Sequence, residues 1–498
     1  MSMPGPTTSR SDRSRWLLVG AVACLVVVGS AWFSLPPGVR NWDNVVKLQV
    51  AYNFVRGKGF VVTAHTPADD HYLMRGRDGH AYTGYPPVAF VLQLPVLALR
   101  LSGHEAVEGL APLLVLGLAA WALVAWGRRS GASPPAAMAG AMLVCFGTAL
   151  WPSVAHGYDN LIEVLAIAIL LWAGSGEERP RAWTWAGAAL GAAFATRLGA
   201  GVLAVPAAVL VVGQGPGGLR AVARRGLACA IGCLPGVAVV AWYNWLRFGS
   251  PLVAYTVTSV GTADQLLVGW FSREHLQAMA GLTISPGKGV LWYGPPLIGV
   301  VLCARPLYRR HPQAFRALGA YLLACLLSFG RFKYWHGEWA WGPRYMAPLY
   351  VAAAPLAWWL WEELRTRRAA VRAAALAAGA LLVVAQAVPV TGYPVEAHFA
   401  TTLPRLASER RLATTSATSA PLPADNDVLY FTMENSMFVS LAQQFAQVTE
   451  PYGAGEVIRR GFALAMLVPL LALASVLAVA RGWRRTEPSP AGEAALSP

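Results

Sequence analysis

Apolar residues run through this chain in long stretches, separated by short polar breaks that carry mostly arginine. A helix rises 1.5 Å per residue, so about 20 apolar residues cover the hydrocarbon core of a bilayer. In order, the stretches are 16–35, 106–127, 135–152, 160–173, 183–196, 199–213, 226–246, 289–304, 314–330, 345–361, 370–390 and 461–480. They predict an all-α, polytopic transmembrane helical bundle of about 12–13 spans. If successive spans alternate in direction, the clusters Arg128/Arg129, Arg179/Arg181, Arg220/Arg224/Arg225, Arg305/Arg309/Arg310, Arg365/Arg367/Arg368 and Arg481/Arg484/Arg485 all fall on one side. Short cytoplasmic loops have that bias. Both termini are therefore expected in the cytoplasm, with the protein integral to the cytoplasmic (inner) membrane. The first stretch follows Arg10, Arg13 and Arg15 and has no small-x-small cleavage site after it. It is expected to remain as a signal anchor.

The same parity puts every long polar connection outside: 36–105, 153–159, 247–288, 331–344 and 391–460. The expected organisation is a membrane body over 1–390 that includes the outer loop 36–105. An extracytoplasmic loop or small cap over 391–460 follows, then a last span over 461–480 and a disordered cytoplasmic tail over 481–498. Chemistry needs functional groups and room, so the outer face is the expected working face. In the first outer loop Val45, Leu48, Tyr52 and Val55 recur at helical spacing between Asp43-Asn44 and Gly57/Gly59. This predicts a short amphipathic helix on the membrane surface. Residues 88–101 follow Pro86-Pro87 and are too short to span, which suits an interfacial or re-entrant helix. Within the last outer loop, 414–427 is a Ser/Thr/Ala/Pro linker and 428–448 a more structured piece.

Composition agrees with a bilayer environment: the chain is 56% hydrophobic and 13% charged, about half the charge of soluble domains. The net charge of +15 is accounted for by the arginine loops, so nucleic acid is not an expected partner. All six cysteines lie in apolar stretches. Cys229 and Cys233 can share a helix face but have no His or acid beside them, which reads as packing.

The residues that break the apolar pattern on the outer side are the candidates for chemistry. Asp159 and Glu163 stand one turn apart after His156 and Tyr158. Arg197 interrupts an apolar stretch far from the arginine clusters, where a lipid-facing cation is costly. Lys288 lies in Pro286-Gly287-Lys288-Gly289. Arg344 follows His336, Glu338, Trp339 and Trp341. Each has a plainer role beside it. Asp43 suits a helix N-cap, the acidic pair suits a helix N-terminus, and Arg197 could snorkel to the interface. Lys288, Arg344 and the tryptophans suit interfacial anchoring. His65, Asp69, Asp70 and His71 fit a solvated loop better than a metal site. A divalent metal is compatible with the sequence but not required by it, and no cofactor is identified.

Several motifs resemble one family. Trp42-Asp43-Asn44 comes after the first span, then Gly57-x-Gly59-Phe60 and Tyr85-Pro86-Pro87. Tyr243-Asn244 precedes Arg247-Phe248-Gly249-Ser250-Pro251, and further on come Ser285-Pro286-Gly287-Lys288-Gly289 and Trp339-x-Trp341-Gly342-Pro343-Arg344-Tyr345. Together they resemble the GT-C glycosyltransferases, polytopic enzymes that use polyprenyl-phosphate-linked sugars, such as protein mannosyltransferases and the lipid A aminoarabinose transferase. The resemblance covers about residues 15–365. This chain has Asn44 where a second acid is common and Tyr85 where a lysine often precedes the Pro-Pro. The resemblance implies an outward active site with Asp43 as general base, and Asp159 and Glu163 as further catalytic candidates. Arg197, Lys288 and Arg344 are the candidate donor-phosphate ligands, and Tyr85, Tyr158, His336, Glu338 and Trp341 the candidate substrate contacts. The implied partners are a polyprenyl-phosphate sugar, a glycan, lipid or protein acceptor, and membrane lipids. The alternative is a lipid or polysaccharide transporter or flippase without catalysis; a non-catalytic envelope scaffold is a third reading. Transporters favour midplane charges and repeated halves, and neither is evident here.

Overall fold

The computed structural model describes residues 10–32, 35, 42–63, 73–104, 107–175, 179–213, 218–252, 267–337, 340–391, 402, 405–406, 408–409, 429–437, 439, 467, 470–481 and 483. The expected all-α architecture is present. Its helices are α1 Arg10–Trp32, α2 Trp42–Val55, α3 Val88–Val91, α4 Leu94–Leu101, α5 Leu110–Arg129, α6 Pro134–Phe146 and α7 Leu150–Ala155. They continue with α8 Leu161–Ala173, α9 Pro180–Thr196, α10 Ala204–Gly213, α11 Gly218–Phe248, α12 Arg273–Ile284 and α13 Val290–Tyr293. The series closes with α14 Pro296–Leu302, α15 Ala304–Arg310, α16 Pro312–Phe329, α17 Ala353–Arg365 and α18 Ala369–Thr391. Short 3-10 turns over Leu198–Leu203 and Arg344–Ala352 lead into α10 and α17. The one sheet among the described residues is a hairpin of β1 (Leu73–Arg75) and β2 (Ala81–Thr83), with Met74 opposite Tyr82.

Five helical segments among the described residues are long and apolar enough to cross a membrane: Asp12–Trp32, Leu110–Arg129, Gly218–Phe248, Pro312–Phe329 and Ala369–Ala387. The other apolar stretches form shorter or broken helices. Residues 135–152 split at Gly147-Thr148, and 289–304 break at Gly294-Pro295-Pro296. Residues 345–361 begin as a 3-10 turn containing Pro348. Proline lacks the amide proton a continuous helix needs, so interruption there follows from the covalent chemistry. Residues 88–101 form the two short helices α3 and α4, as their length demands.

Helices α5, α6 and α8 form the centre of the bundle. Leu113, Leu116, Ala119, Leu123, Val144, Ile167 and Leu170 are all buried there. The periphery is the reverse: α11 exposes Leu227, Ile231, Leu234, Trp242 and Trp245. Exposed apolar side chains of that density suit lipid as the surrounding medium. Helices α9 and α11 approach backbone to backbone. A Cβ on Gly187 or Gly232 would collide with the carbonyl oxygens of Cys229 or Thr184. This is the close packing that glycines spaced by three residues permit between membrane helices, and it places Cys229 and Cys233 as packing residues.

The contacts sort the helix ends into two groups. At one end Arg128 pairs with Asp12, Arg129 donates to the Trp172 carbonyl, Ser133 donates to Glu362, and Arg310 pairs with Glu363. At the other end α2 lies against the α7–α8 turn and the start of the Arg344 turn.

Helix α2 forms where the helical spacing placed it, over Trp42–Val55. Val45, Tyr52 and Val55 are exposed, while Asn44, Lys47, Leu48 and Ala51 are buried. The inward side joins the apolar Val46, Leu48, Val50 and Ala51 to Asn44 and Lys47, whose polar groups find partners inside the bundle.

Candidate functional site

Helix α2 supplies the first elements. Asp43 stands in its first turn, and Lys47 follows one turn later on the inward side. Residues four apart on a helix are neighbours, so both reach the same region of the bundle. The Lys47 ammonium is 2% exposed and lies 2.8 Å from Asp159 Oδ2. It also sits 4.2 Å from the centre of the Tyr85 ring.

Asp159 is held by a tight turn between α7 and α8. Its other oxygen, Oδ1, accepts from Arg197 Nη1 at 2.6 Å. Arg197 Nε lies 3.3 Å from Glu163 Oε1, one turn into α8. Arg197 ends α9 in extended conformation, φ −148° and ψ 122°, which swings its side chain back across the start of α8. Lys47, Asp159, Arg197 and Glu163 thus form a buried row of alternating charge. Burial alone would raise the Asp159 pKa, but Lys47 and Arg197 outweigh it and hold the carboxyl well below the usual carboxylate range. Breaking such a row is costly, because each charge depends on a partner for the hydration it has lost.

Arg344 arrives from the far side of the sequence. Its Nη1 lies 3.5 Å from Asp43 Oδ2, 301 residues away. The guanidinium also faces Tyr158 at 5.7 Å from ring centre and Tyr345 at 5.5 Å. Its main-chain carbonyl accepts from Asn160 Nδ2 at 2.7 Å, which ties the start of the 3-10 turn to the α7–α8 turn. Gly337, at φ +66°, lies directly behind: a Cβ there would press on the Arg344 side chain at 3.1 Å. The Asp43–Arg344 pair differs from the buried row. It is longer, and its side chains are 23% and 19% exposed against 5% for Asp159 and Glu163. Arg344 Nε is buried without a hydrogen-bond partner among the described residues.

A third group lies beside these. Lys288 is fully buried and donates to the Ala340 carbonyl. His336 is buried by the same segment. Burial pushes its pKa well down, and the charges of Lys288 and Arg344 add to the effect, so the ring is held neutral. Tyr430, from the last long polar segment, stacks on His336 at 4.5 Å and places its hydroxyl 3.1 Å from Nδ1. The Tyr430 carbonyl accepts from the Gly287 amide at 3.0 Å. Trp341 is buried edge-on against Tyr293, 5.0 Å between centres.

The hairpin and α11 are fastened to this end through Arg247. Its Nη1 donates to the Thr83 carbonyl at 2.6 Å and Nη2 to Asn244 Oδ1 at 2.7 Å, and its guanidinium covers the Tyr243 ring at 3.7 Å. This fixes Thr83, two residues before Tyr85.

The structure therefore brings Asp43, Asp159, Glu163, Arg197, Arg344, Tyr85 and Tyr158 into one neighbourhood. Lys288, His336 and Trp341 form an adjoining buried cluster. Glu338, the His65/Asp69/Asp70/His71 group and residues 414–427 lie outside the described residues. Among the described residues no group of three His, Cys, Asp or Glu is placed to hold a metal. Sequence reasoning missed Lys47, Asn160 and Tyr430, and gave Arg247 only as part of a motif with no role of its own. The signal for Lys47 was its position four residues after Asp43, one helical turn further along α2. Tyr430 carried none.

No protein-family model matches the chain, and no curated protein matches it. Among solved structures, it is similar to ArnT from Cupriavidus metallidurans bound to undecaprenyl phosphate, with a TM-score of 0.48 and 16% sequence identity over 94% of this chain and 78% of that one. The apo state of the same protein gives a TM-score of 0.47 at the same identity and coverage.

Proposed function

We propose that this protein is a membrane glycosyltransferase that moves a sugar from a polyprenyl-phosphate donor to an acceptor hydroxyl on the extracytoplasmic face of the membrane. The observation that carries the reading is the Asp43–Arg344 pair: a carboxylate and a guanidinium from opposite ends of the chain, 3.5 Å apart and both partly open, beside a charge row that is closed on itself. The sequence motifs that resemble the GT-C enzymes support it, because the last two of them supply Lys288 and Arg344.

Donor entry exchanges partners. The donor phosphate takes Arg344 from Asp43, drawing on the guanidinium and its unpartnered Nε; planar guanidinium binds phosphate oxygens in pairs. Asp43, released from that guanidinium, can accept the proton of the acceptor hydroxyl. As the acceptor oxygen bonds to the anomeric carbon, the bond from that carbon to the phosphate oxygen breaks. The electron pair leaves with the phosphate, and Arg344 stabilises the charge that develops there. Removing one such contact typically costs about 2.7–4 kcal/mol of barrier.

Asp159 has a different part in this scheme. Both of its oxygens are engaged by Lys47 and Arg197, so it positions cations and does not take protons. Glu163 shares Arg197 with it. Tyr85, Tyr158, His336 and Trp341 are the proposed sugar contacts; what supports this for Tyr85 and Tyr158 is that their rings face Lys47 and Arg344. The test is transfer from polyprenyl-phosphate-linked sugars by the purified full-length protein in lipid nanodiscs, compared with Asp43→Asn. Loss of transfer in a variant that remains folded supports the reading. No turnover by the native protein with any such donor, or unchanged transfer in Asp43→Asn, overturns it.

A further inference from the structure

The helices that carry the Asp43–Arg344 site end at their other extremity around a cavity of about 150 Å³, walled by Ser133, Trp361, Arg365, Arg372, Ala480 and Trp483. Helix α5 has 20 residues and runs from beside Gly157 to just before Ser133, a length of ~30 Å. The 3-10 turn and α17 lead from Arg344 to Arg365 over a similar distance. The cavity is therefore a separate place, about one hydrocarbon thickness from the site described above.

We propose that this cavity binds the phosphate of an anionic lipid headgroup. Its charge is the first reason. Arg365 and Arg372 contribute two guanidiniums, and Glu362 offsets only part of this, since it accepts from Ser133 at 2.7 Å and pairs with Arg365 at 3.4 Å. Among the described residues the Arg372 guanidinium makes no hydrogen bond or ion pair. The outer site balances its cations with carboxylates; this one leaves a cation for a ligand.

Its walls are the second reason. Trp361 and Trp483 bring indole rings to the arginines, and Trp483 continues into Trp16 at 6.3 Å, which Arg128 covers at 5.8 Å. Tryptophan and arginine together mark the headgroup level of a bilayer, and basic pockets between membrane helices bind phosphate-bearing headgroups. The third reason is the path for the tails. Helix α18, which carries Arg372, exposes Val371, Leu376 and Leu381, an apolar flank leading away from the cavity. The volume exceeds what one or two waters need, each taking ~30 Å³ in the liquid.

The same chemistry could be met by a soluble phosphate, so the test separates the two. Full-length protein in detergent micelles is titrated with short-chain phosphatidylglycerol, phosphatidylcholine or inorganic phosphate. Retention is read by native mass spectrometry and the thermal midpoint by fluorescence. Phosphatidylglycerol is expected to be retained and to raise the midpoint, with the other two ineffective at equal concentration. R365Q/R372Q should weaken phosphatidylglycerol binding about 30-fold, the effect of two interfacial arginines. R365K/R372K keeps the charge and should keep binding, which excludes a folding defect as the cause. Equal retention by the native protein and R365Q/R372Q overturns the site. Phosphatidylcholine retained as well as phosphatidylglycerol overturns the role of charge. Inorganic phosphate bound as tightly as the lipid overturns the lipid assignment.

Discussion

The two ends of this bundle are made by the same helices and have opposite electrostatic characters. At the Asp43 end, six cationic and acidic side chains pair with one another, with Lys47 and Arg197 on the two oxygens of Asp159 at 2.8 and 2.6 Å. At the arginine end, Arg365 and Glu362 meet at 3.4 Å with side chains 54% and 41% exposed. The difference lies in water. Where charges are buried, each must have a fixed partner, and geometry becomes exact enough for chemistry. Where they remain at an interface, solvent screens them, the pairs contribute about 0–1 kcal/mol, and the cations remain available to other anions.

The comparison can be broken or sharpened by substitution. The largest effect is expected from Asp43→Asn, which should lower transfer by about 10²–10⁴-fold, the usual contribution of a positioned general base. It should leave the thermal midpoint nearly unchanged, because the Asp43–Arg344 pair is long and partly open. A large drop in stability together with activity would make Asp43 a structural residue.

Next comes Asp159→Ala, which strands Lys47 and Arg197 without their shared carboxylate. A loss of about 3–5 kcal/mol is expected, seen as a sharply lower midpoint or failure to recover folded protein. Lys47→Met in the same chain should restore part of it. No recovery in the double variant would mean that Lys47 and Asp159 are not coupled.

Acidification probes the same row. The folded pKa of Asp159 lies below its unfolded value, so its contribution is complete above the unfolded carboxylate value of about 4. It is lost as pH falls from there through the folded value. The midpoint of the native protein should therefore fall on acidification, and Asp159→Asn should lack that part of the slope. Parallel slopes would assign the acid sensitivity to other carboxyls.

The smallest effect is expected from Tyr430→Phe, which removes the hydroxyl beside His336 and should cost about 0.5–1.5 kcal/mol. A catalytic loss far beyond that would place the hydroxyl in contact with substrate.

How much of this was legible beforehand depended on the medium. Long apolar runs and arginine placement were enough for an all-α membrane chain, because helix length and bilayer thickness are tied by simple arithmetic. Asp43, Asp159, Glu163, Arg197, Lys288 and Arg344 stood out because charges amid apolar sequence are costly and need a reason. Lys47 did not stand out, since a single lysine on a surface helix is ordinary. Only the packing turns it, with Asn44, inward to Asp159 and the Gly157 carbonyl. Tyr430 was beyond reach because its neighbour His336 is 94 residues away and no spacing links them.

By itself the sequence determined the helical class, the segments that can span and the inventory of charges able to act, since these follow from local hydrophobicity and the cost of burying a charge. Only the tertiary structure decided which charges meet. Pairing across 112 or 301 residues depends on how rigid helices pack, and that choice separated the closed row around Asp159 from the open pair of Asp43 and Arg344.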